Sequence, residues 1–116
     1  MPSRNWNDAR RKVEQEGACR VCPPGAPRRR LEAAHVIGRE YDRPHPLPSP
    51  RELANGDLYV HPLDVVPLCH THHEAYDARR LDLLPHLSIA EQARAVEHVG
   101  LARAYRRLTG SQPPSP

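Results

Sequence analysis

The stretch DVVPLCHTHHEAYD, residues 64–77, decides the fold that we expect for this chain. Its apolar run at 65–68 is short enough for a strand, and the Pro within that run predicts that the strand lies at a sheet edge or ends there. A helix is expected to follow over residues 70–80. Cys69 and His72, which have two residues between them, stand where the predicted strand gives way to the helix.

The same spacing occurs upstream in CRVC, residues 19–22, where Cys19 and Cys22 also enclose two residues. Two such pairs separated by tens of residues are typical of tetrahedral zinc. A site made of Cys19, Cys22, Cys69 and His72 would use all three cysteines of the chain, which accounts for their odd number. The alternatives are a redox CxxC and unrelated thiols. A redox motif normally begins a helix in a thioredoxin-like sheet, and that pattern does not appear. We therefore predict a structural zinc ion.

A structural metal suits the composition of the chain. The 116 residues are about one domain's worth, and we expect a single domain over residues 1–110 with a disordered tail at 111–116. With 38% hydrophobic residues, no Phe and 14 Pro, the sequence does not suggest a large continuous core. A domain of this size buries only about two thirds of its unfolded surface, so the predicted zinc would supply folding free energy that the core lacks.

The basic residues indicate one class of partner. The net charge is +3, from 17 basic and 14 acidic side chains, and every basic residue except Lys12 is Arg. Arg binds phosphate in a planar, bidentate way, so nucleic acid is a candidate partner, although Arg enrichment can also reflect a GC-rich genome. The run Arg28, Arg29 and Arg30 could follow a phosphate backbone or could be a solvated charged face.

Apolar runs of the kind that enter or cross membranes do not occur in the sequence. The N-terminus has no apolar segment of a signal peptide, and no stretch approaches the roughly 20 apolar residues of a membrane span. A reducing cytoplasm is therefore the expected location. In that location cysteines are more often metal ligands than disulfides.

The remaining elements are read from periodicity and from Gly and Pro. A short amphipathic helix is predicted over 4–16, ending at Gly17, and a short strand is predicted around 31–34. The Pro-rich segment 40–62 is expected to be a long, partly extended excursion, either an insertion over the active face or a disordered loop.

C-terminal helices are predicted over 88–108. Ser88 and Glu91 fit a capping box that begins the first of them. Gly100 is expected to interrupt the helix and Gly110 to end it. The apolar stripes that these helices should bury are Ile89, Ala93 and Val96 in the first, and Leu101, Ala104, Tyr105 and Leu108 in the second.

A second group of polar residues lies beside the zinc pairs and is not needed for zinc. His73 directly follows the zinc ligand His72, and Asp77 comes four residues after His73, so His73 and Asp77 share a helix face and can hold one metal together. His72 points about 100° away around the helix, toward zinc. His35 is expected to end the upstream strand, and Asp64 lies five residues before Cys69.

In this arrangement the sequence resembles the HNH endonuclease family, with its ββα-metal fold. The resemblance rests on CRVC, LEAAHVIGREYD and DVVPLCHTHHEAYD in that order, covers roughly residues 17–80, and is greatest to the small HNH proteins of actinobacterial phages. It implies an α+β fold: a small zinc-stapled ββα-metal core with an N-terminal helix and C-terminal helices. It also implies a hydrolase that cuts phosphodiester bonds in DNA.

The resemblance assigns roles residue by residue. His35 matches the general base, which takes a proton from water near neutral pH. His73 and Asp77 match ligands of a catalytic divalent cation, for which Mg²⁺ or Mn²⁺ suits the oxygen-rich donors. Asp64 matches the middle Asn of the family name, so the resemblance implies that it is a catalytic residue and a further ligand of that cation. Ala34 departs from the pattern, since many members place a metal-binding His or Asp there.

Arg39, just after the base, could hold a neighbouring phosphate. Two alternatives to the nuclease remain at this stage. One is a zinc-containing nucleic-acid-binding module without catalysis, which the departures at Ala34 and Asp64 favour. The other is a structural partner of a phage packaging motor or terminase, in which the C-terminal helices would be the docking face. The oligomeric state cannot be read from the sequence.

Overall fold

The structure is a computed structural model, and it describes residues 4–27, 29–38 and 58–110. The predictions made for Arg28, for Arg39, for most of the Pro-rich segment 40–62 and for the tail 111–116 lie outside the described residues. Within the described part, helices and short strands are mixed, as an α+β fold requires.

Four helices and four short strands make up the described chain. The helices are α1 (Asn7–Glu16), α2 (His70–Asp77), α3 (Ile89–Val99) and α4 (Leu101–Thr109). The strands are β1 (Arg4–Asn5), β2 (Leu31–His35), β3 (Leu58–Tyr59) and β4 (Val65–Cys69). The predicted helix over 4–16 is thus confirmed from residue 7, and its first residues form β1 instead.

The central pair of strands is antiparallel, and it sets which side chains share a face. β2 and β4 pair with Leu31 opposite Cys69 and His35 opposite Val65. β1 and β3 form a separate parallel pair. Within the described residues the central sheet has two strands, so β4 lies at an edge. On the side away from β2, Pro67, which has no amide hydrogen, accepts a hydrogen bond through its carbonyl from the Arg20 amide. The expectation of an edge strand at 65–68 is confirmed.

Alternation along β2 and β4 divides the apolar core into two clusters on opposite faces of the sheet. On one face, Ala33 and Val65 pack with α1, where Ala9 is fully buried. On the other face Ala34 and Val66 pack with α2 and the C-terminal helices. The buried members of this larger cluster are Ala34, Val36, Ile37, Val66, Leu68, Tyr76, Leu83, Leu87, Ala95, Ala104 and Leu108.

Helix ends follow the sequence signals closely. Gly17 ends α1 with φ of +67°, a left-handed conformation that Gly adopts without a Cβ clash. Ser88 begins α3 with a complete capping box, in which the Ser88 hydroxyl accepts from the Glu91 amide and the Glu91 carboxylate accepts from the Ser88 amide. Gly100, with φ of +85°, separates α3 from α4.

The predicted burial of the C-terminal helices is wrong in part. Ile89 is 84% exposed and Ala93 is also exposed, while Val96 is only half-buried. Leu101 and Tyr105 of the second stripe are exposed as well, although Ala104 and Leu108 are buried as expected. The reason is that α3 turns a largely polar face inward, with these buried residues: Glu91, Arg94, Ala95 and His98.

A buried ionic cluster explains this inward polar face. Glu91 is 1% exposed, and its carboxylate accepts hydrogen bonds from Lys12 of α1 and from Arg20, which follows α1. Lys12 also donates to the carbonyls of Pro62 and Val65. Three charged side chains and two backbone carbonyls therefore meet at one point, which fixes α3 against α1.

None of the helices in the described part of the chain has the length and apolar character that a membrane crossing requires.

Candidate metal centre and the adjoining histidine cluster

The first pair of candidate zinc ligands lies between α1 and β2, and the second lies where β4 passes into α2. Cys69 is the last residue of β4, and His72 is in the first turn of α2. The metal-binding atoms of Cys19, Cys22, Cys69 and His72 all lie within 4.8 Å of one another. The sequence-based prediction of a four-residue cluster that could hold a metal is confirmed.

The distances within this Cys3His cluster fit a tetrahedral zinc ion. The Sγ atoms of Cys22 and Cys69 are 3.8 Å apart, and Nδ1 of His72 lies 3.5 Å from Sγ of Cys19 and 3.2 Å from Sγ of Cys69. Zinc bonds of about 2.3 Å to sulfur and about 2.0 Å to nitrogen give tetrahedral edges of about 3.8 Å and 3.5 Å. The four donors are therefore arranged around a space of the right size.

The local electrostatics also favour a cation here. Burial alone would raise the pKa of the Cys19 thiol, but hydrogen bonds from the backbone amides of Cys69, Val21 and Cys22 lower it to about 6. Desolvation and the neighbouring sulfur atoms of Cys19 and Cys69 raise the pKa of Cys22 to about 11. Crowded thiolates repel one another, and a bound cation would remove that repulsion.

Arg20 fixes the knuckle formed by residues 19–22. Its guanidinium forms an ion pair with Glu91 at 2.9 Å and another with Glu16, and it donates to the carbonyl of His86. Its amide donates to Pro67 in β4, next to the strand end that carries Cys69. The contacts of Arg20 thus hold the two halves of the Cys3His cluster together independently of a metal. Sequence reasoning missed this role of Arg20.

The second half of the site lies on another side of α2. His73 and Asp77 are one helical turn apart, and Nε2 of His73 lies 3.6 Å from Oδ2 of Asp77. On the other side of the ring, Nδ1 of His73 lies 2.8 Å from Oε1 of Glu32 in β2. Glu32 was not among the predicted site residues, although it stands in the quoted LEAAHVIGREYD stretch on the strand that faces α2.

Glu32 links β2 to two histidines of α2. The hydrogen bond from His73 lowers the pKa of Glu32, with a further contribution from His70. His70 lies 3.2 Å from Glu32 and 3.0 Å from Glu74, and the bond to Glu32 raises the pKa of His70. His70 is exposed and turned away from the Cys3His cluster. Among the described residues, the Cys3His cluster is the group of three or more donors compact enough to surround one ion.

The structure places Asp64, which was predicted to be a catalytic residue and a ligand of the second metal, against α3. Asp64 is 5% exposed, and both of its carboxylate oxygens face Arg94 of α3, at 2.8 Å and 3.4 Å. Nε2 of His98 lies 3.8 Å from the same carboxylate. A buried carboxylate that neutralises a buried guanidinium is a structural ion pair, so the described contacts of Asp64 are with α3.

His35 ends β2, as predicted, but its side chain leaves the sheet on the face opposite Glu32 and Ala34, because side chains alternate along a strand. Its ring packs edge-on against Trp6, with the ring centroids 5.0 Å apart and the planes at 89°. His35 is only half-buried. The described contacts therefore bring His73 and Asp77 together but do not bring His35 into direct contact with them.

The structure describes two of the four arginines that were predicted to contact nucleic acid. Arg29 and Arg30 are exposed, and Arg29 lines a surface cleft that runs along the knuckle from Glu14 to Leu31. Arg28 and Arg39 lie outside the described residues.

Comparison of the chain with models of known protein families, with curated proteins and with solved structures gave no match. The geometry of the site and the sequence motifs therefore carry the functional argument.

Proposed function

We propose that this protein is a metal-dependent endonuclease of the HNH type, which hydrolyses phosphodiester bonds in DNA. The observation that carries the proposal is the double use of α2. Its His72 belongs to the Cys3His cluster, whereas the next residue, His73, lies with Asp77 on the side of α2 that faces β2. The ββα-metal resemblance implies this arrangement of two strands and a helix beside a zinc-type cluster.

The donors on this side of α2 fit a divalent cation. Nε2 of His73 and Oδ2 of Asp77, 3.6 Å apart, are close enough for one cation to contact both. Glu32 accepts from Nδ1–H of His73, which leaves Nε2 free of its proton and able to bind a metal. Such a hydrogen bond from a carboxylate to a metal-binding imidazole is the usual way in which proteins orient that ring. A bound Mg²⁺ or Mn²⁺ would stabilise charge on the phosphate and on the leaving 3′ oxygen.

His35 is the residue that we assign to proton transfer. A neutral imidazole can accept a proton from water at neutral pH, and His35 stands at the end of β2, next to the residues that lead out of the sheet. The edge-on contact with Trp6 holds its ring in one orientation. The assignment of His35 to the attacking water rests on the family resemblance, since its side chain lies on the sheet face opposite Glu32.

A second candidate function is a zinc-containing nucleic-acid-binding module without catalysis. Three observations favour it: Asp64 is bound in an ion pair with Arg94, Ala34 offers no ligand, and His35 faces away from the sheet face that carries Glu32. This candidate requires DNA binding that weakens with salt and no strand cleavage.

A plasmid-relaxation assay separates the two candidates. Wild type, His35→Ala and His73→Ala would be tested with Mg²⁺, with Mn²⁺ and without an added cation. His86→Ala is the matched control, because His86 lies in the 3-10 turn before α3, away from α2. Zinc content and circular dichroism would verify that each variant is folded.

Cation-dependent cleavage by wild type and by the His86 variant, with loss in the other two, supports the nuclease. Cleavage by His35→Ala at the wild-type rate would reject His35 as the base. If folded wild-type protein binds DNA but does not cleave it with either cation, the second candidate is correct.

A further inference from the structure

A charged cleft adjoins the His73–Asp77 pair on the side of the C-terminal helices. It has a volume of about 360 Å³. Its walls come from the end of β2, the end of α2 and the facing sides of α3 and α4. The lining residues are Ile37, Gly38, Asp77, Arg79, Val99, Arg103 and Arg107.

Three guanidinium groups line this cleft against a single carboxylate. Arg107 is held in place: it donates to the carbonyl of Tyr76 at 3.0 Å, and its guanidinium lies 3.8 Å from the centroid of the Tyr76 ring. It also lies 3.7 Å from the carboxylate of Asp77. Arg79 and Arg103 are exposed. Like charges around a concave surface repel one another unless an anion lies between them, so the cleft is suited to a negatively charged ligand.

The backbone at Arg79 gives a second, independent indication. α2 ends in a Schellman motif, in which the amide of Arg80 donates to the carbonyl of Ala75 and the amide of Arg79 donates to that of Tyr76. Arg79 occupies the left-handed position of this motif with φ of +61°, and it is the one non-glycine residue with positive φ in the described part of the chain. Gly is the usual residue there, because a Cβ strains this conformation. A strained residue that keeps a charged side chain at the edge of a cleft suggests a function for that side chain.

We propose that this cleft binds a backbone phosphate of the nucleic acid, with Arg79 and Arg103 as the contacting groups and Arg107 as the group that fixes the wall. The inference rests on the proposed function, since the phosphate would be one that flanks the bond to be cut beside Asp77. Planar guanidinium groups match phosphate oxygens in pairs, which makes phosphate the anion of choice. The site uses α4, which lies outside the 17–80 region of the family resemblance.

Equilibrium binding of a short fluorescein-labelled DNA duplex tests the proposal. Anisotropy would be measured without added divalent cation over a series of salt concentrations, for wild type, Arg79→Ala and Arg103→Ala. Arg80→Ala is the matched control: Arg80 is exposed, carries the same charge and does not line the cleft. Each cleft variant should weaken binding about tenfold, as expected for one charged hydrogen bond. The slope of log K against log salt should fall by about 0.9 for each lost phosphate contact.

The variant Arg79→Gly separates binding from folding. Gly relieves the left-handed backbone, so its melting temperature should rise by about 4 °C while DNA affinity falls. A purely structural role for Arg79 predicts the opposite, a lower melting temperature with unchanged affinity. That result would overturn the proposal.

The remaining outcomes are also decisive. Equal weakening in the control and in the cleft variants means that only net charge matters, and it rejects the cleft. Binding of inorganic phosphate in competition with the duplex, lost in Arg103→Ala, supports a phosphate site. If the cleft variants weaken DNA binding and wild type cleaves with neither Mg²⁺ nor Mn²⁺, the phosphate site stands and the nuclease proposal fails.

Discussion

At the scale of single residues, Asp64 illustrates where inference from spacing stops. Its position before Cys69 suggested a role beside His35, but spacing does not say which side of the chain a carboxylate faces. The deciding residue is Arg94, thirty positions further along, whose buried guanidinium needs a counter-charge. No residue near Asp64 in the sequence indicates that Arg94 is its partner. The cluster that contains Cys19, Cys22 and Cys69, in contrast, was predictable, because their spacing is typical of zinc sites.

Replacement of Asp64 by Asn should destabilise the fold by about 3–5 kcal/mol, because it leaves the charge of Arg94 buried without a partner. Urea unfolding of the zinc-saturated protein measures the change in the free energy of unfolding. Asp82→Asn is the control, since Asp82 is exposed and an Asn can still accept from the Leu84 amide. A variant with unchanged stability that nevertheless loses cleavage would restore Asp64 as a catalytic residue.

Glu32 supports a second prediction at this scale. If it orients His73 for a cation, Glu32→Gln should weaken the binding of Mn²⁺ about 10- to 100-fold while the Cys3His cluster keeps its zinc. Titration of Mn²⁺ followed by electron paramagnetic resonance gives the affinity directly. Glu74→Gln is the matched control, because Glu74 contacts His70 rather than His73. Equal affinity in wild type and Glu32→Gln would show that the carboxylate does not support a metal ligand.

At the scale of elements, the sequence predicted where helices and strands lie better than which face they bury. Strand β2, helix α2 and the capping box at Ser88 follow local signals of period, spacing and hydrogen bonding. The inward face of α3 does not follow such local signals. Its apolar stripe suggested Ile89 as a core residue, but the face that is buried carries Glu91, because Lys12 and Arg20 are positioned to neutralise it. The hydropathy of a short segment does not identify charged partners that are distant in the sequence.

The ionic cluster around Glu91 should make the attachment of α3 depend on pH. Burial alone would raise the pKa of Glu91, but hydrogen bonds from Arg20, Lys12 and the Ser88 amide lower it from 4.5 to about 2. A carboxylate with a lowered folded-state pKa stabilises the fold above pH 4.5, and this contribution is lost as the pH falls toward 2. At about 1.4 kcal/mol for each pH unit between the two values, the contribution is about 3 kcal/mol.

The measurement compares wild type with Glu91→Gln by chemical unfolding between pH 7 and pH 3. The difference in the free energy of unfolding should be largest near neutrality and should shrink below pH 4.5. The comparison uses only those pH values at which both proteins retain their metal and remain folded, because loss of the metal in acid is itself expected to unfold the chain. Glu97→Gln, an exposed change on the same helix, should show no such trend. A difference that stays constant down to pH 3 would contradict the assignment.

At the scale of the whole molecule, the α+β class and the presence of a metal-type cluster were predictable from the sequence, whereas the ionic contacts that join its parts were not. Two apolar clusters lie on opposite faces of a two-stranded sheet, and neither is large. The Cys3His cluster and the ionic contacts of Arg20 connect the elements that contribute to these two apolar clusters. A fold of this kind depends on a few cross-links, because each half alone buries too little surface to compensate for chain entropy.

Removal of the metal should therefore unfold the protein rather than merely loosen one loop. Zinc in small domains contributes about 10–16 kcal/mol of apparent binding free energy, which is as large as the roughly 5–15 kcal/mol of total stability that folded proteins have. Far-ultraviolet circular dichroism during chelation should show loss of helix together with loss of zinc, and stoichiometric Zn²⁺ should restore the signal whereas Mg²⁺ should not. Cys22→Ser should behave like chelated wild type, although Cys22 is not in the apolar core. A metal-free protein that still melts cooperatively near the temperature of the zinc form would mean that Arg20 and Glu91 alone hold the two halves together.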